Sequence, residues 1–201
     1  MKNRSVHPIP PALQLRVAAV SDAESLSALS RALLEYERTL NECAGTLKPW
    51  AASPEEIRKQ IRHPDTRFFV AESSGEIIGY LKAVIYGRAA SVRQAGLIAW
   101  LKSLIERVAR RGYNLLLQRP RPSTRVTAGY IAGAYVIPSR RGCGVGRQLM
   151  EAAEKWFDSE GLLISELHVL WNNESARRFW NEAGYEPVIM GLRKKLSRAE
   201  Q

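Results

Sequence analysis

Residues 136–147 read Val136-Ile137-Pro138-Ser139-Arg140-Arg141-Gly142-Cys143-Gly144-Val145-Gly146-Arg147. An apolar run, Arg125 to Ile137, enters this stretch as a strand, and an amphipathic pattern leaves it as a helix to about Ser159, stopped by Gly161. Glycines between strand and helix let the backbone approach a ligand closely. The first turn of the helix adds unpaired N–H groups and the positive end of a dipole. Together they make a seat for a pyrophosphate, reinforced here by three arginines. A nucleoside-triphosphate P-loop is excluded, because no Gly-Lys-Ser/Thr follows. A dinucleotide fingerprint fails on context. It needs an early βαβ unit and an acid ending the next strand. Here Glu166 lies within that strand, not at its end.

Outward from this loop the pattern is mixed α/β. Upstream come a strand from Leu13 to Val20, a helix over about 22–42 started by Ser21-Asp22, and a second helix started by Ser53-Pro54-Glu55-Glu56 and ending near His63-Pro64. A hairpin follows, with strands Arg67–Glu72 and Ile77–Tyr86 around Ser73-Ser74-Gly75-Glu76. Downstream come a strand from Leu163 to Val169 and a short helix capped by Asn172 or Asn173 and stopped at Gly184. The tail, Tyr185 to Leu196, suits a final strand or hairpin. Residues 1–12 read as a flexible arm, and 13–201 as one domain with a helical insertion at about 88–125.

Two motifs together resemble the GCN5-related N-acetyltransferase (GNAT) family. Arg141-Gly142-Cys143-Gly144-Val145-Gly146 matches the R/Q-x-x-G-x-G/A motif, and Asn173 to Tyr185 matches N-x-x-A-x-x-ϕ-Y-x-x-x-G-F, with the expected strand between them. The resemblance covers roughly 13–196 apart from the insertion. It implies a mixed, mostly antiparallel central sheet flanked by helices, with a splayed strand pair that holds acetyl-CoA. Ala134, Tyr135 and Val136 would pair with the pantetheine arm, and the Val136 N–H would polarise the thioester carbonyl. Arg141, Gly142, Cys143, Gly144, Val145, Gly146 and Arg147 would hold the pyrophosphate, and Asn173 would contact the pantetheine. The implied reaction is direct attack on the thioester by a primary amine, whose identity stays open among small amines, a protein N-terminus or lysine, and an aminoacyl-tRNA.

The chain departs from the family at two places. Trp180 stands where many members carry a tyrosine acid, and indole cannot deliver a proton at neutral pH. It is read either as a contributor at the reacting end or as an aromatic packed beside Phe179. The strand Val126–Ile137 holds no Asp or Glu. His168, five residues before Asn173, stands where the ribosomal-protein N-acetyltransferase branch of the family has a catalytic glutamate, so the resemblance implies it as a candidate base, with a histidine bonded to a neighbour as the alternative. Glu35 and Glu37 on the first helix are candidates to bind a cationic acceptor. These departures keep open a CoA-binding regulatory protein of impaired catalysis, and an RNA-binding protein that reuses the fold.

Composition bounds these readings. Two cysteines, Cys43 and Cys143, give neither a disulfide framework nor a metal-ligand pair, so no metal is expected. The longest mostly apolar run, Ala128 to Ile137, is too short to span a membrane, and His7-Pro8-Ile9-Pro10-Pro11 interrupts any export signal. A cytoplasmic location is expected. The net charge is +10, and residues 88–147 concentrate it, with eleven Arg and Lys102 against Glu106. On the resemblance, coenzyme A would account for Arg140, Arg141 and Arg147. The rest lie in the insertion and its flanks, where Arg93, Trp100 and Arg107 share a helical face. RNA, an anionic membrane and a second protomer each fit that face, as does plain solvent.

Overall fold

The computed structural model describes residues 13–40, 53–87 and 127–192. The arm at 1–12 and the insertion, with Arg93, Trp100 and Arg107, lie outside the described residues. Five strands among the described residues form one sheet in the order β1-β2-β3-β4-β5. They are β1 (Leu13–Val17), β2 (Thr66–Ser73), β3 (Glu76–Tyr86), β4 (Ala128–Val136) and β5 (Ser165–Leu167). β1 to β4 pair antiparallel and β4–β5 is parallel. The helices are α1 (Ala23–Leu40), α2 (Pro54–Ile61), α3 (Val145–Ser159) and α4 (Glu174–Glu182).

Alternation along the strands builds two cores. Phe68, Val70 and Tyr80 face α1 and α2, where Leu26 and Ile57 meet them. Phe69, Ala71, Leu81 and Ile131 face α3 and α4, against Leu149, Trp156, Phe157 and Trp180. Sequence-level starts are met by real caps. Ser53 Oγ accepts the Glu56 N–H at 3.2 Å, and Asn173, not Asn172, caps α4 by accepting the Ala176 N–H at 3.1 Å.

Three expectations are corrected. The first strand stops at Val17, because Val20–Asp22 forms a 3-10 turn in which Asp22 reaches back to the Ala19 N–H at 2.7 Å. The strand expected over Leu163–Val169 is paired only at Ser165–Leu167, since β4 offers it three partners. Of the tail expected as a strand or hairpin over Tyr185–Leu196, residues 185–192 form no strand, and 193–196 lie outside the described residues. Pro187 removes a ladder donor, and Val188 and Ile189 stay more than four-fifths exposed.

Candidate active site

β4 sets the site. Its register against β3 slips once: Ala83 pairs with Ile131 and Lys82 with Gly133, so Ala132 has no partner. This bulge reverses the facing of the strand residues beyond it. Before it, Gly129 and Ile131 face α3. After it, Gly133 faces α1, where a Cβ would meet Leu33 and the Tyr80 hydroxyl, each at 3.6 Å.

Pairing with β5 ends at the same place. Gly129–Ile131 pair with Ser165–Leu167, and Ala132–Val136 then run on with no neighbour on that side among the described residues. The Ile137 N–H bonds the Ile78 carbonyl at 3.0 Å, towards β3. Strand alternation therefore turns the N–H and C=O of Val136, and of Ala134, to the open side. Two strands paired at one end and parted at the other make a wedge with a hydrogen-bonding edge.

The glycine loop sits at the mouth of this wedge. Gly142 and Gly144 have φ of 78° and 79°, a region that disfavours side chains. Cys143 and Val145 alternate with them and point inward, both buried in the α3-side core. The loop is thus pinned by its two apolar side chains and presents backbone outward, and any role of Cys143 and Val145 towards a ligand belongs to their N–H groups. Gly144 is the N-cap of α3, and Gly146 and Arg147 follow in its first turn. Arg140, Arg141 and Arg147 are exposed, and no acid pairs with them among the described residues.

Arg141 folds back into the wedge. Its Nε donates to the Val136 carbonyl at 2.9 Å, and its guanidinium lies 5.0 Å from the Tyr36 ring and 5.3 Å from the Tyr135 ring. The Tyr36 hydroxyl donates to Asn173 Oδ1 at 3.5 Å, and Asn172 Nδ2 donates to the Leu40 carbonyl at 3.2 Å. The end of α1 is therefore tied to the start of α4 across the wedge. Tyr36 had no sequence signal of its own; only the helix's placement over β4 reveals it.

The remaining candidates separate. Glu35 is exposed and pairs with Arg38 at 3.6 Å. Glu37 is half-buried beside Tyr80, and burial raises its carboxyl above the usual range. His168 is the first residue past the β4–β5 pairing, at the vertex of the wedge, with its ring edge-on to Tyr130 at 5.5 Å. Trp180 is 8% exposed and packs edge-on to Phe179 and Tyr185, as a core aromatic does. No group of His, Cys, Asp and Glu among the described residues could hold a metal ion, and no helix there is long and apolar enough to cross a membrane.

Solved structures share this architecture. A point mutant of the BH1408 protein from Bacillus halodurans superposes with a TM-score of 0.69 at 17% identity, covering 92% of this chain and 99% of that one. An aminoglycoside acetyltransferase, meta-AAC0020 from an uncultured soil metagenomic sample, in complex with trehalose, gives 0.59 at 15%, covering 92% and 97%. The aminoglycoside N-acetyltransferase AAC(6')-Iy in complex with CoA gives 0.60 at 17%, covering 92% and 95%. No curated protein sequence matches the chain. The family described as Acetyltransferase (GNAT) family matches residues 32–185, and with the splayed sheet and glycine loop in place the chain belongs to the GNAT acetyltransferase family.

Proposed function

We propose that this protein is an acetyl-CoA-dependent N-acetyltransferase acting on a primary amine by direct attack. The observation that carries the reading is the open edge of β4, Ala132 to Val136, ending at the glycine-rich start of α3. A pantetheine arm carries amide groups that such an edge can pair with, and a pyrophosphate matches the N–H groups of Gly142 to Arg147. Arg140, Arg141 and Arg147 add charge, and Asn173 borders the arm from the other side. Arg141 must leave the Val136 carbonyl for the arm to pair there, which frees its guanidinium for phosphate.

The Ala134 N–H is placed to stabilise the thioester oxygen as charge builds on it, and the Val136 N–H, about 7 Å further along the same edge, pairs with the pantetheine arm. The attacking amine must first lose a proton, because alkylammonium pKa values lie near 10. His168 at the wedge vertex takes that proton, directly or through water. The nitrogen–carbon bond then forms, the carbon–sulfur bond breaks, and coenzyme A leaves as a thiolate. A thiol pKa of about 8.5 makes that departure feasible without a donor, so Trp180 shapes the core and delivers no proton. Glu37 lines the α1 side of the site, where it attracts a cationic acceptor.

The test incubates the protein and acetyl-CoA with small amines, lysine peptides, protein N-termini and aminoacyl-tRNA, with products read by mass spectrometry. Acetylated amine supports the reading, and His168→Gln should lower turnover and change the acidic limb of the pH–rate profile. Tight acetyl-CoA binding without any product would favour a regulatory protein. Salt-dependent RNA binding that survives Gly144→Ala, without acetyl-CoA binding, would favour the RNA reading.

A further inference from the structure

At the vertex of the wedge and towards the other end of β4 lies a group of side chains of which the reaction above uses only His168. Tyr86 ends β3, Tyr130 is on β4, and Glu166 and His168 belong to β5 and the residue after it. Val84 is the register partner of Tyr130, and Tyr130 that of Glu166, so Tyr86, Tyr130 and Glu166 share the α1-side face of the sheet. The rings meet edge to face: Tyr86 and Tyr130 at 6.2 Å, Tyr130 and His168 at 5.5 Å. The Tyr86 hydroxyl donates to Glu166 Oε2. Partial desolvation, and then the carboxylate, push that hydroxyl up to about 12, so it stays a donor at any working pH. No cation pairs with Glu166 among the described residues, although Tyr86, Glu166 and His168 are all exposed.

A carboxylate held by a tyrosine hydroxyl and bordered by aromatic rings matches an ammonium group. The acid supplies the counter-charge and the ring faces attract the cation. It repels an anion, and it makes an apolar occupant strand the carboxylate. Resting on the acetyltransferase reading, we infer that Glu166, Tyr86 and Tyr130 form a subsite for a second cation on the acceptor, which is then an elongated di- or polyamine. The spacing follows from β4. Four residues separate Tyr130 from Ala134, so at about 3.3 Å per strand residue the reacting nitrogen and the second cation lie roughly 10–13 Å apart, close to an extended diamine of about eight carbons. His168 lies between the two ends, where it can reach the reacting amine. The net charge of +10 opposes a polycation at long range, but salt screens that field over about 8 Å, and contact chemistry decides.

The test compares kcat/KM for straight-chain α,ω-diamines, from ethylenediamine to diaminodecane, with monoamines of equal length. Diaminooctane should exceed octylamine by about tenfold, and the advantage should vanish at diaminopropane. In Glu166→Gln and in Tyr130→Leu the diamine-to-monoamine ratio should fall towards one, with acetyl-CoA affinity by calorimetry reporting that each variant is folded. A ratio near one in the wild type, a ratio that survives Glu166→Gln, or a lysine peptide outpacing every diamine overturns the inference. If the protein neither binds acetyl-CoA nor acetylates anything, the enzyme reading fails by itself. Diaminooctane titrated into the free protein then still decides the subsite, through the presence or absence of shifts in the Tyr130 ring signals by NMR.

Discussion

Gly129→Ala is the substitution whose cost the structure states most directly. A Cβ at Gly129 would lie 2.5 Å from Phe157 Cγ and Cδ2 and 2.6 Å from Cδ1. Ordinary carbon contacts sit near 3.5–4.0 Å, so the overlap is about 1 Å against three ring atoms at once. Phe157 has little room to yield: it is 3% exposed and lies against the Trp156 ring at 5.4 Å. The strand has little room either, because the Gly129 N–H bonds the Ile164 carbonyl at 2.9 Å and Gly129 opens the three-residue pairing that roots the wedge. Overpacking of this kind costs about 1–3 kcal/mol. Urea unfolding of wild type, Gly129→Ala, Phe157→Ala and the double variant measures it. Gly129→Ala should lower the midpoint by that amount. The double variant should be more stable than the two single losses added together, because alanine at 157 removes the three ring atoms the methyl would meet. A Gly129→Ala protein within about 0.5 kcal/mol of wild type, or strictly additive losses, would refute the claim that α3 meets β4 through this contact.

Two further outcomes follow from local geometry. Arg16 forks onto Asp22 at 2.7 and 3.1 Å and also reaches Glu72, and this bond to Arg16 holds the Asp22 carboxyl below its ordinary value of 3.8. A depressed folded pKa gives stability above the unfolded value and loses it as pH falls through the folded one. Asp22→Asn should therefore cost about 1–3 kcal/mol at pH 7, and the gap to wild type should narrow below about pH 4 in denaturant titrations. In a Cys43→Ala background, the buried Cys143 thiol should react with a thiol reagent only after unfolding. Reaction in the native protein as fast as with a free small thiol would show that the glycine loop is not pinned as described.

The parts of the fold that could be read in sequence are those in which one residue type has one physical use. Ser53-Pro54 starts a helix because a hydroxyl and a missing N–H suit its first turn, and both are found there. The glycine loop is legible because backbone at φ near 79° excludes most side chains. The bulge at Ala132 was not legible: a small residue in an apolar strand carries no mark of being unpaired, yet it decides which side chains face α1. Glu35 and Glu37 look alike as charges. Only the rotation of α1 over β4 makes the first a surface ion pair and the second a half-buried acid. Trp180 could be read as a reacting-end residue or a core aromatic, and its placement among Phe179 and Tyr185 follows from the rotation of α4, which the motif does not specify. The aromatic group around Glu166 joins three strands, so no spacing within one segment reveals it.

The open edge of β4 raises a problem that every unpaired strand poses. Exposed N–H and C=O groups are a template for another chain, and proteins blunt such edges with charge, bulges or cover. Here all three converge on five residues. The bulge at Ala132 bends the strand where pairing stops, Tyr36 covers the far end from α1, and the Arg141 guanidinium takes the Val136 carbonyl. None of these covers is made by a strand, so none costs a ladder to remove. An exposed arginine bond and two ring contacts are each worth about 1 kcal/mol or less. A ligand that brings its own amides for the edge and its own phosphates for the arginine replaces each interaction it displaces with one of the same kind. The edge is thereby protected against a second chain and still open to a ligand of the right chemistry, and one residue, Arg141, serves both ends because the loop that carries it begins where the strand stops.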